Sequence, residues 1–222
     1  LKNSRQLLCA TSLNLQRVIF GVFRQEQGLG AVAAHAHMVE LPRILLFSIL
    51  SLAVPIDFLR YLYFFSMLIL GPLGVYFFLV QKNKIAAFLG ALFYLLNLGS
   101  LQHFYVPFEM FATLYAFLPW LFLFATKFLT NSGRKNLILF SLVTFLSTPM
   151  AYAPTLWYVY FAALCIYSLT FLSQERSFEV LKRLIVIIIT TLLINSYWLL
   201  PNLYFLKTHS NDIGQAKINE LF

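Results

Sequence analysis

The stretch 61–80, YLYFFSMLILGPLGVYFFLV, runs for twenty residues without a charge, and a helix of about 20 apolar residues is what a hydrocarbon core of about 30 Å requires. That one run already points to a bilayer. The rest of the chain agrees: its 222 residues are 60% hydrophobic and 11% charged, with a mean hydropathy of +0.79, whereas a soluble domain carries about 25% charge. Twenty-four Phe and twelve Tyr suit lipid-facing surfaces and interfacial belts. The chain reads as an all-α integral membrane protein, a polytopic helical bundle.

About six crossings are expected, at 60–80, 85–101, 108–129, 137–147, 151–172 and 184–200. Gly71-Pro72 should bend the first by removing a hydrogen bond; 85–101 and 137–147 are short for a full crossing. Three units follow: 1–59, an external loop with interfacial or re-entrant helices; 60–206, the transmembrane core; and 207–222, an external polar tail. Within the first unit, Leu13, Leu15, Val18, Ile19, Val22 and Phe23 form one apolar helix face with Arg17 and Arg24 opposite, which suits a helix lying in the interface or one packed on its own domain. Residues 44–54 are too few to span before Pro55 and Asp57 and read as re-entrant or interfacial. No signal peptide core is visible near Leu1, so at least one transmembrane helix is expected upstream.

Charge sets the orientation. Lys82 and Lys84, then Lys127, Arg134 and Lys135, then Arg176, Lys182 and Arg183 occupy alternate connections, while the connections near 98–108 and 148–153 have no Lys or Arg. The positive-inside rule places the basic loops in the cytoplasm, and Glu26, Glu40, Asp57, Glu109, Asp212 and Glu220 then face outward. The sixteen Lys and Arg are spread too thinly for a nucleic-acid surface. Cys9 and Cys165 lie far apart and offer neither an expected disulfide nor metal spacing. No phosphate-cradling glycine loop is present, because Gly28 and Gly30 lack the strand-to-helix context.

The outward acids carry the sharpest chemistry, since removing a proton from a sugar hydroxyl requires a carboxylate within hydrogen-bond reach. Glu109, at the joint between two apolar spans, leads Glu40, Asp57 and Glu26 as a catalytic candidate; the alternative for Glu109 is a helix N-cap or first-turn acid complementing the dipole, and Asp57 also reads as a cap. Gln102 and His103, in the same polar joint, and Trp198, at the end of the last span, are candidate cavity-lining residues. Lys207 and His209 could meet a donor phosphate at the headgroup level, or be a snorkelling Lys beside an exposed His. Asn97, Asn195 and Asn202 are expected to bond neighbouring helices. His35 and His37 in HAH diverge on any regular element, so no metal ligand set is assigned and a divalent metal is left open.

The order of GLGAVAAHAHMVELP, DFLRYLYFFSMLILGPLGVYFFL, GALFYLLNLGSLQHFYVPFEMFATLYAFLPWLFLF, STPMAYAPTLWYVYF and NSYWLLPNLYFLKTHSNDI resembles the membrane core of GT-C polyprenyl-phosphate-sugar-dependent glycosyltransferases, most closely the alpha-(1->3)-arabinofuranosyltransferase D type. The resemblance covers about residues 15–215 and is one of pattern. It implies a GT-C bundle in the cytoplasmic membrane that transfers a sugar with inversion from a polyprenyl-phosphate donor to an external glycan or glycolipid acceptor. The lipid-linked sugar is a co-substrate and no further cofactor is implied. The family's acid lies in the first external loop, just behind the first transmembrane helix; no DD or DE pair precedes Gly28 here, and Glu109 matches only an acid entering the helix that ends in Pro119-Trp120. Two other classes stay open: a lipid or polysaccharide transporter or flippase subunit, and a membrane scaffold without activity.

Overall fold

A computed structural model of the chain describes residues 15, 18–19, 23–24, 31–32, 37–106 and 108–208. Within them a two-residue antiparallel ribbon, β1 (Phe23–Arg24) with β2 (Ala31–Val32), precedes a helical body. A 3-10 turn at Met38–Glu40 leads into α1 (Leu41–Leu50), and then come α2 (Ile56–Leu79), α3 (Lys84–Leu96), α4 (Leu98–Tyr105), α5 (Glu109–Thr130) and α6 (Arg134–Leu146). A second 3-10 turn, Thr148–Tyr152, joins α6 to α7 (Pro154–Glu175), and α8 is Phe178–Thr208. The interfacial helix expected around residues 13–23 lies largely outside the described residues, as do Glu26, His209 and nearly all of the tail.

Among the described residues, four helices are long and apolar enough to cross a membrane: Phe58–Leu79, Glu109–Thr130, Pro154–Glu175 and Phe178–Thr208. The protein is a helical membrane protein. Its lipid face is legible on α2, where Phe58, Tyr61, Phe65, Ile69, Leu73 and Phe77 recur every three or four residues and are all exposed, the spacing of one helix stripe. Leu59, Tyr63 and Met67 on the opposite stripe are buried. In water such exposed rings would be a liability; in hydrocarbon they are the solvent-facing surface.

α5 is the axis of the bundle. Buried positions make up 61% of its apolar window, against 22% for α2 and α7 and 28% for α8. Around it, Trp157 and Tyr160 of α7, Trp198 of α8, Phe140 of α6 and Leu121 and Leu129 of α5 form the main core. Trp157 stacks on Phe161 at 5.0 Å and meets Trp198 edge-on at 5.2 Å.

Gly71 and Gly74 have a packing use beyond the expected bend. α2 stays one helix through Pro72. A Cβ at Gly71 would stand 2.5 Å from the Tyr115 ring, and one at Gly74 would stand 2.7 Å from the Trp120 indole nitrogen. The two glycines, one turn apart, form a shallow groove in which two α5 aromatics lie. Trp120 Nε1 then donates to the Leu70 carbonyl at 2.9 Å, so the indole nitrogen is satisfied inside the bundle.

The expected return 85–101 is divided at Asn97. Its backbone is extended (ψ 152°), its Oδ1 accepts from Ser100 N at 3.0 Å, and its Nδ2 donates to the Tyr94 carbonyl at 3.0 Å. Asn97 therefore ends α3 and caps α4, and it bonds its own chain, not a neighbouring helix. Asparagine favours that position because its amide satisfies free helix-end groups. Asn195 also bonds locally, donating to the Thr191 carbonyl and accepting from Trp198 Nε1, both at 2.8 Å. Asn202 does link helices, accepting from the Tyr158 hydroxyl at 2.7 Å.

Candidate functional site

Every charged residue of the four long helices lies within about two turns of a helix end. At one end stand Lys82, Lys84, Lys127, Arg134, Lys135, Arg176, Lys182 and Arg183. At the other, Glu40, Arg43, Arg60 and Glu109 converge from the first 3-10 turn, α1, α2 and α5.

Glu109 opens α5 as its first residue; the N-cap is Phe108, which makes no side-chain cap. Its carboxylate turns away from the helix and takes two guanidiniums, with Arg60 Nε at 2.9 Å and Arg43 Nη1 at 3.6 Å. Of the two helix-end roles expected for Glu109, the structure shows the first-turn acid and not the N-cap, and its carboxylate is also engaged with arginines contributed by two other helices. The first-turn position complements the dipole; the arginine pairs are the further feature. Its side chain is 26% exposed, so solvent and ligand can reach it.

Glu40 is enclosed, with its side chain 7% exposed, and it pairs with Arg43 Nη2 one helical turn later. Burial raises the Glu40 carboxyl above its ordinary value of 4.5; Arg43 opposes the rise, and the charge of Glu109 adds to it. Arg43 therefore bridges two acids. Its guanidinium also lies 5.8 Å from the Phe47 ring and 5.9 Å from the Tyr63 ring, contacts that favour a planar cation. Its Nε makes no hydrogen bond among the described residues.

Beneath the cluster a short relay fixes the geometry. The Thr113 hydroxyl donates to the Glu109 carbonyl at 2.7 Å, so its proton is spent and Tyr63 is the donor in the bond between their hydroxyls. Tyr63 thereby ties α2 to the first turn of α5 directly under Arg43. The second 3-10 turn closes the same end: Thr148, Pro149, Met150 and Ala151 are buried and pack against the first 3-10 turn. The connection near 148–153, which reads in the sequence as an outward loop, is thus largely buried at this end of the bundle.

The other candidates are scattered. Asp57 lies in the first turn of α2, whose N-cap is Pro55, so it is not the cap. Gln102 is exposed and lines, with Leu98, Leu101 and Tyr105, an open depression of about 420 Å³; His103 is on the same helix. Trp198 does not line a cavity: it is fully buried against Trp157, because its indole finds Asn195 and its rings fill the core. Lys207 is exposed in the last turn of α8. Among the described residues there is no group of three or more His, Cys, Asp or Glu able to hold a metal.

Arg43 and Arg60 belong to the site without standing out in the sequence. The ELPR spacing, with Glu40 and Arg43 one turn apart, is a local signal for the first; nothing local links Arg60 to Glu109, which lies 49 residues on.

Fold and site together define a multi-helix membrane protein with an arginine–carboxylate cluster at one membrane edge. No protein-family model, no curated protein and no solved structure matches this chain.

Proposed function

We propose that the protein is a membrane glycosyltransferase core of GT-C type, transferring a sugar from a polyprenyl-phosphate donor to a glycan or glycolipid acceptor outside the cytoplasmic membrane. The observation that carries this reading is the Glu40–Arg43–Glu109–Arg60 cluster at the end of the bundle opposite Lys82, Lys84, Lys127 and Lys135. Sugar transfer from a lipid phosphate needs positive donors for the phosphate that departs and a carboxylate for the acceptor proton. Arg60 and Arg43 supply the first and Glu109, the accessible acid, the second; Glu40 holds Arg43 in position. The reading includes a six-pass topology. α3 and α6, thirteen residues each, are the short returns, about 20 Å long against about 30 Å of hydrocarbon.

A transporter would need polar or charged groups free at mid-span; the charges of the long helices are confined to their ends, and Thr191 and Asn195, midway along α8, bond within their own helix. That disfavours a translocation path. The test is to reconstitute the protein with a panel of radiolabelled polyprenyl-phosphate pentoses and hexoses and an envelope-derived acceptor. Label joined to acceptor supports the enzyme reading. Label that only crosses the bilayer supports the transporter, and label that does neither removes both activities.

A further inference from the structure

The basic end contains a cavity with its own chemistry. It has a volume of about 330 Å³ and lies between the end of α2, the end of α5, the start of α6 and α7. Lys82 and Lys127 line it, and no Asp or Glu does. The wall also includes Phe78 and Leu123, so it offers apolar as well as cationic contacts.

The hydrogen bonds around it decide which groups are left for a ligand. Carbonyls at the end of α5 would repel an anion, but four at this terminus are taken: Arg183 Nη1 donates to the Leu129 and Thr130 carbonyls at 2.8 and 2.9 Å, and Asn136 Nδ2 to those of Lys127 and Asn131 at 3.3 and 3.2 Å. Thr126 donates to the Phe122 carbonyl at 2.6 Å, so Tyr167 donates in the bond between their hydroxyls and is also spent. Lys82 and Asn131 keep their side-chain donors, making no side-chain hydrogen bond or ion pair among the described residues, and Lys127 lies over the Phe124 ring at 5.6 Å. α6 begins beside the cavity without a side-chain cap or an acid in its first turn, and with Arg134 and Lys135 at its positive end. An anion there would offset a local excess of positive charge.

We propose that this cavity binds the phosphate of an anionic membrane lipid, with Lys82 and Lys127 on the headgroup and Phe78 and Leu123 against the upper acyl chain. The apolar wall and the position at the ends of spanning helices select a lipid over a free anion, because lysines at this level meet headgroups by default. The site is at the opposite end from the arginine–carboxylate cluster and does not depend on the catalytic reading.

Delipidated protein in detergent, offered dioleoyl-phosphatidylglycerol, dioleoyl-phosphatidylcholine or inorganic phosphate, provides the test, with bound lipid counted by native mass spectrometry. Phosphatidylglycerol should be retained in preference to phosphatidylcholine. Lys82→Ala with Lys127→Ala should weaken its retention about tenfold or more, the corresponding Arg pair should preserve it, and Lys82→Glu alone, at an exposed position, should lower it in a protein that still folds. Equal retention of the two lipids, unchanged retention in Lys82→Glu, or displacement of the lipid by millimolar phosphate would each overturn the proposal.

Discussion

The two ends of the bundle use arginine in opposite ways. At the basic end Arg183 donates to backbone carbonyls and closes a helix terminus. At the acid end Arg43 and Arg60 reach side-chain carboxylates of other elements. A guanidinium on a carbonyl is structural cement, whereas one shared between an enclosed and an accessible acid leaves charge that a ligand can exchange. The contrast teaches where to look for chemistry: not at the end with the most cations, but at the end where opposite charges meet at partial burial.

The largest expected effect comes from removing the bridge. Arg43→Ala strands Glu40 in an enclosed site and should destabilise the detergent-solubilised protein by about 3 kcal/mol, read as a lowered unfolding midpoint, with Glu40→Gln on the same background restoring much of the loss. Arg183→Ala strips the end of α5 of its charge-assisted hydrogen bonds, and a loss of about 2 kcal/mol is expected. If that change cost more than Arg43→Ala, the basic end would be the more tightly coupled one and the comparison would reverse.

Acidity sharpens the contrast further, with a smaller effect. The folded-state value of Glu40 lies above the unfolded one, so the protonated form favours the fold: the contribution is complete below about pH 4.5 and is lost as pH rises through the folded-state value. Glu40→Gln should therefore flatten the fall in stability above pH 4.5, measured as unfolding midpoints across a pH series. An unchanged slope would mean that Glu40 does not titrate in the fold.

Much of this architecture is legible in the residues. Uncharged runs such as 61–80 declare membrane helices by length, and Glu109 stands out because an acid opening an apolar span is rare. Other features are not legible because they depend on packing between distant segments. Arg60 and Glu109 meet only once α2 and α5 have packed together, and Gly71 and Gly74 become a groove only when Tyr115 and Trp120 arrive. Trp198 shows the opposite error: an aromatic at the end of a span reads as interfacial, yet a local partner, Asn195, lets its indole nitrogen be buried without cost to its hydrogen bonding. Asn97 misleads in the same manner, since an amide inside an apolar run suggests a helix–helix bond where the chain uses it to break and restart a helix.

The central claim is that the chemistry belongs to the acid end. Sugar transfer from labelled polyprenyl-phosphate donor by the reconstituted protein, measured side by side for Glu109→Gln and for Lys82→Ala with Lys127→Ala, tests it most directly. Glu109→Gln should lose about 100-fold or more, the scale of a missing proton acceptor, with transfer by the lysine pair within about twofold of the unaltered protein, below the scale of any catalytic contribution. Undiminished transfer by Glu109→Gln, or an equal collapse in the lysine variant, would contradict it.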